Sequence, residues 1–230
     1  MTDYIDIIGL TRLDDATAYT LAAAGGTDDT GDGAPVTPLG PRLKQVTGKH
    51  VFKAVEYTLD AMIVSHIGHL ASPYVTADAR DMIGRLGSQG VRFALNLDGI
   101  TGDRSEAYRD MVAGMVRCAD IMFGSQENYE QLIRTEAGAW TQEQASNILM
   151  SLQFMKPGAY LMLDKADSLL VSSPDGIQTF PLQTDDSSLS ANVSRADAKT
   201  FGDFLAVIAR RYDTTTAAGY AAQNRAFALG

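Results

Sequence analysis

From Val51 onward the apolar positions follow two alternating rhythms. Short dense runs, the signature of buried strands, are separated by stretches in which apolar residues recur three and four apart, the signature of helices with one buried face. "AMIVSHIGHL" predicts a strand and its following loop, "TADARDMIGRLGSQG" a helix closed by Gly90, and "VRFALNLDG" a second strand. "RSEAYRDMVAGMVRCA" predicts a helix, "DIMFGS" a third strand, and "ENYEQLIRTEA" and "TQEQASNILMSLQFM" further helices. "GAYLMLDKADSLLVSSPDG" then gives a strand, a turn and a hairpin arm. Strands alternating with helices in this way imply βαβ units and a mainly parallel sheet, whose ligands sit beyond the carboxyl ends of the strands.

One stretch on that edge stands out, "DAKTFGDFLAVIARRYD". Gly202-Asp203 sits where the chain should turn into a helix, because Phe204, Val207, Ile208, Arg211 and Tyr212 recur at helical spacing after it. A glycine and a carboxylate at a helix mouth begin like an anion-binding turn. The plainer reading makes Asp203 a capping carboxylate. Arg210-Arg211, at the far end of the same helix, complement its dipole.

The front of the chain follows neither rhythm throughout. "YIDIIGL" (Tyr4 to Leu10) predicts a short buried strand, and the following stretch to about Pro41 is rich in Gly, Thr, Asp and Pro, the composition of a loop or arm. The expected organisation is therefore residues 1–45 as first strand plus arm, and residues 46–230 as an α/β core. Asp28, Thr30, Asp32 and Gly33 open like a calcium loop, but Leu39 stands where a bidentate glutamate is needed, so a metal reading is set aside.

Composition narrows the partners. The chain has 230 residues and a formal net charge of −9, which argues against nucleic acid or an anionic membrane surface as the main partner. No apolar run reaches the roughly 18 residues needed to cross a bilayer, so membrane insertion is not expected. The lone Cys118 excludes an internal disulfide and fits a reducing compartment; its setting, "MVRCADIMF", predicts a buried thiol and not a nucleophile. With an acidic N-terminus lacking a basic flank, the expectation is a soluble cytoplasmic protein. His66 and His69 are spaced three apart in a strand-to-loop setting with no third ligand evident, and an ordinary polar loop is the better reading. Asp98, Asp103 and Arg104 lie on the ligand edge of the second strand, where charged loops are common.

The order of these segments, with "RSEAYRDMVAGMVRCADIMFGSQENYEQL" followed by a hairpin and "GDFLAVIARRYDTTTAAGYAAQNRAFAL", resembles the PfkB (ribokinase-like) carbohydrate and nucleoside kinases, and in flavour their adenosine-kinase-like branch. The likeness spans roughly Val46 to Leu229, and Tyr4 to Leu10 resembles the family's first strand. It implies a doubly wound, mainly parallel α/β sheet flanked by helices that binds ATP with magnesium and phosphorylates a hydroxyl of a sugar or nucleoside.

Residue by residue, the resemblance also implies damage. The family's D-T-T-G-A-G-D turn, whose small residues bare amides toward the transferring phosphate, falls on D-A-K-T-F-G-D. Asp197, Gly202 and the base Asp203 are kept, while Thr200 and Phe201 replace a glycine and an alanine. The N-x-x-E motif that orients magnesium falls on Ser125-Gln126-Glu127-Asn128, leaving Glu127 as the stand-in metal organiser. The nucleotide-side T-x-G-x-x-G turn falls on "LDKADSLL", where Lys165 stands in place of glycine-bared amides. The substrate motif and β lid that precede Val46 in the family are represented by a short arm with a faint echo in "AAAGGTDD", so the lid is expected to be largely absent.

Two functions follow. In the favoured one the chain is a catalytically degenerate PfkB-like protein that binds a partner protein, a second copy of itself, or a nucleotide, through sheet surface left by the missing lid. The alternative is a minimal active kinase with Asp203 as general base, Thr200, Gly202, Asp197 and Lys165 toward ATP, and Glu127 toward magnesium.

Overall fold

The computed structural model describes residues 5–6, 46–56, 62–101, 105–133, 142–164, 168–182 and 193–224. The predicted arm up to Val46, including "AAAGGTDD" and the calcium-like stretch, lies outside the described residues, as do Asp103, Arg104 and Lys165. The chain divides into two compact units, Tyr4–Ala119 and Asp120–Gly230, the latter with Met1–Asp3.

The first unit is built on three parallel strands, β1 (Ile5–Asp6), β2 (Met62–His66) and β3 (Arg92–Asn96). Ile5 pairs with Ile63, and Ile63 with Phe93. Met62, Ile63, Val64 and Ser65 are all buried, the continuous run expected of a strand covered on both faces. Helix α1 (Gly48–Val55) precedes β2, and a short α2 (Ile67–Leu70) and then α3 (Ala77–Ser88) follow it. Ala79, Ile83 and Leu86 form the buried stripe of α3. That helix ends as its sequence predicts: Gly90 takes φ +92°, and the amides of Gly90 and Val91 return to the carbonyls of Gly87 and Leu86. Helix α4 (Glu106–Cys118) opens on Ser105, whose hydroxyl accepts the Tyr108 amide. Cys118 is half-buried against Gly84, less enclosed than its apolar neighbours suggest.

The second unit runs β4 (Ile121–Ser125), α5 (Gln126–Ile133), α6 (Gln142–Met155), β5 (Ala159–Asp164), β6 (Ser168–Ser173), β7 (Gly176–Pro181), α7 (Val193–Ala209) and α8 (Thr214–Asn224). β4 and β5 are parallel, and β5, β6 and β7 form an antiparallel meander. The register aligns Phe123, Leu161, Val171 and Gln178 on one face, and Met122, Tyr160, Ser172 and Ile177 belong to the other. α7 and α8 cover the first face: Phe201 of α7 stacks on Phe123, and Gly219 of α8 lies against Phe180 of β7. The second face meets α6, since the Tyr160 hydroxyl donates to the Lys156 carbonyl just past that helix. Burial pushes the Tyr160 hydroxyl up to about 12.

The join between α6 and β5 is tight. Lys156 pairs with Asp120 at 2.8 Å, and Gln153 bonds both the amide and the carbonyl of Gly158. A Cβ on Gly158 would stand 2.6 Å from the Asp120 carbonyl oxygen, so only glycine fits there. Tyr129 of α5 is fully buried and donates its hydroxyl to the Leu161 carbonyl at 3.1 Å. That burial pushes its ionisation far above the ordinary tyrosine value.

Candidate functional site

The predicted turn at Gly202-Asp203 is interior helix. α7 already begins at Val193, so Thr200, Phe201, Gly202 and Asp203 all lie within it. The cause is the buried stripe of that helix, which sequence spacing starts at Phe204. Thr200 and Phe201 are buried too, and with Phe204, Leu205 and Ile208 they repeat at i, i+3, i+4 and i+7 from Phe201. The ring of Phe201 stacks on Phe123 with centroids 4.9 Å apart and planes 14° apart. Gly202 is on the open side, where an added Cβ meets nothing within 4 Å.

This placement changes the chemistry available. Only the first four amides of an α-helix lack an intrahelical acceptor, and in α7 those belong to residues ahead of Asp197. The amides of Thr200 to Asp203 are engaged by the helix itself, so they do not form an anion hole. The side chain of Asp197, two helical turns below Phe204, lies outside the described residues. Asp203 is held by the ammonium of Lys199 one turn back. The same ammonium donates to the carbonyl of Asn224, the last residue of α8, at 3.3 Å. Lys199 is the residue that motif matching passed over. Its i,i+4 spacing to Asp203 was the available signal.

Glu127 stands exposed in the first turn of α5. The first and last positions of the motif cap that helix reciprocally: the Ser125 hydroxyl accepts the Asn128 amide at 3.2 Å, and the Asn128 side chain accepts the Ser125 amide at 2.9 Å. Among the described residues, no three or more His, Cys, Asp or Glu side chains are grouped to hold a metal ion. Of the motif positions toward magnesium, Glu127 is exposed, and Ser125 and Asn128 are engaged in the helix cap.

In the first unit, the loops after β2 and β3 are tied together. The Gly68 amide donates to the Asp98 carbonyl at 3.3 Å, and a Cβ on Gly68 would come 3.0 Å from the Gly99 Cα. Gly99 takes φ +77°, and the buried Asn96 accepts the Asp98 amide at 2.9 Å. His66 and His69 face each other with ring centroids 5.2 Å apart. Elsewhere in this unit Asp78 of α3 accepts the Gly48 amide at 2.8 Å and so caps α1. The Thr76 hydroxyl and that amide hold the Asp78 carboxyl below its ordinary value.

No family model matches the chain, and no curated protein does. Solved structures do. A candidate ribokinase II from E. coli in complex with ATP and magnesium superposes with a TM-score of 0.61 at 14% identity, covering 80% of this chain and 56% of that one. Adenosine kinase from Anopheles gambiae, bound to P1,P4-di(adenosine-5) tetraphosphate, gives a TM-score of 0.56 at 16% identity over 77% of this chain and 54% of its own. A pyrophosphate-dependent kinase of the ribokinase family, bound to a pyrophosphate analog and myo-inositol, gives 0.57 at 11% identity over 81% and 62%. The chain thus has the ribokinase-like α/β fold of the PfkB kinases, as its sequence resemblance implies. It spans a little over half the length of these structures. Among the described residues no helix is long and apolar enough to cross a membrane.

Proposed function

We propose that this chain is a catalytically degenerate protein of ribokinase-like fold, acting by binding a partner protein, a second copy of itself or a nucleotide, and not by phosphoryl transfer. One observation carries the reading: the segment matching the family's phosphate turn is helix interior, with Asp203 paired to Lys199. A general base must reach the hydroxyl it deprotonates, and an anion hole must aim free amides at the developing charge. Losing one such donor in enzymes that have it costs on the order of 10²–10³ in turnover. ATP and magnesium stay relevant because a structure of the same fold holds them, and Asp197, Lys165 and Glu127 are the positions to examine for any residual affinity.

The test is phosphoryl transfer, followed by phosphorus NMR, from ATP with magnesium and from pyrophosphate to a panel of sugars and nucleosides. The expected result is no transfer by the wild type, and none by Asp203→Asn. Transfer by the wild type that Asp203→Asn abolishes would overturn the reading in favour of a minimal kinase.

A further inference from the structure

In an acidic chain, β7 and its flanking helix α8 carry no charged side chain at all, and neither does β6. β7 ends the meander: among the described residues it pairs with β6 and no strand lies beyond it. Edge strands of soluble proteins are ordinarily guarded by charges, bulges or proline, because their free amides and carbonyls recruit another strand. Here the guard is a proline at the far end, Pro181.

The edge of β7 turned away from β6 can be located. A two-residue turn, Pro174-Asp175, joins Ser173 to Gly176, which makes those two the hydrogen-bonded closing pair. Gly176, Gln178 and Phe180 then direct their backbone groups to β6, and Ile177 and Thr179 direct theirs outward. We infer that β7 pairs antiparallel with β7 of a second copy of this chain, about a two-fold axis at Gln178.

That register is self-complementary. It places Ile177 of each copy opposite Thr179 of the other, so both outward residues exchange their hydrogen bonds, and each Gln178 meets its own counterpart. Asp175, the charge nearest the strand, falls opposite Pro181 and not opposite itself. Two molecules of net charge −9 repel over most of their surface, so an uncharged edge is where a second copy is least opposed. Strand pairing alone is small against the interface area of stable dimers, and the flanking helices carry the remainder. Tyr220 of α8, 51% exposed, follows Gly219, which lies against Phe180. Phe154 and Met155, 94% and 64% exposed, close α6, just before the Lys156 carbonyl that accepts the Tyr160 hydroxyl.

This names one binding mode of the function proposed above without depending on it, since an active kinase could pair the same edge. The experiment therefore reads mass and not activity. Sedimentation equilibrium of the 230-residue chain should show a reversible dimer at concentrations of about 100 μM. Gln178→Lys sets like charge against like at the axis and should weaken the dimer by about tenfold or more. Gln178→Glu should do the same, and an equimolar mixture of the two variants should recover the dimer. That recovery also shows that both variants fold. A monomeric wild type, a dimer indifferent to Gln178→Lys, or variants that do not recover on mixing would each overturn the proposal, the second by assigning the contact to another surface.

Discussion

Lys199 and Asp203 stand one turn apart on α7 and hold each other by an ion pair, and the same lysine reaches the carboxyl end of α8 through the Asn224 carbonyl. The carboxylate that the family resemblance casts as a base is thus part of a clasp between two helices. Removing either partner should destabilise modestly. In a double-mutant cycle of Lys199→Met with Asp203→Asn, followed by urea unfolding, the coupling should be on the order of 0.5 kcal/mol. A coupling of zero would mean that the pair is not formed in solution.

Gly202 offers a sharper test of the backbone. In a helix interior with open space beside it, glycine costs about 0.5–1 kcal/mol relative to alanine. Gly202→Ala should therefore raise the urea midpoint by a corresponding amount. At a turn that needs left-handed or strained angles the same substitution would lower it.

Phe201 separates the two accounts from another side. If its ring crowded a phosphate turn, Phe201→Ala with Thr200→Gly would open the site and raise nucleotide affinity. Stacked on Phe123 in the core, Phe201→Ala alone should cost about 3–5 kcal/mol. The predicted outcome for either variant is a large drop in thermal midpoint with no gain in ATP binding by calorimetry.

Arg211 has φ +65° where α7 ends, the position at which glycine is usual, and the amides of Arg211 and Tyr212 return to the carbonyls of Ile208 and Val207. Its charge suits the helix terminus, as the sequence suggests, but its backbone is strained. Arg211→Gly should stabilise the fold by about 1 kcal/mol. Unchanged or reduced stability would show that the side chain's contacts outweigh the strain.

Asp78 gives a pH dependence with a definite sign. Its folded carboxyl lies below the ordinary value of 3.8, so its contribution is present above that pH and is lost as the pH falls through the lower folded value. Asp78→Asn should flatten the loss of stability below pH 3.8 while leaving the neutral-pH slope unchanged, read from thermal midpoints across the acid range.

The alternation of strands and helices was legible because parallel strands buried on both faces read as dense apolar runs, as in β2, and because helix stops such as Gly90 follow from backbone sterics. The resemblance read from segment order agrees with the fold. Less visible was the start of α7, since Thr200 is β-branched, Gly202 is a poor helix former, and both sit within the motif that suggested a turn. The buried positions of Thr200 and Phe201 extend the stripe only once Phe123 is known to lie opposite. Ser125 and Asn128 escaped for a similar reason, as their reciprocal cap uses asparagine where the familiar signature has glutamate or glutamine.

The central claim is that Thr200 to Asp203 are helix interior and not a phosphate-binding turn, and amide hydrogen exchange at those residues tests it most directly. The account predicts slow exchange in the free protein, unchanged by saturating ATP with magnesium. Fast exchange that becomes slow only when ATP and magnesium are added would contradict it, and would restore Asp203 as the base of a working kinase.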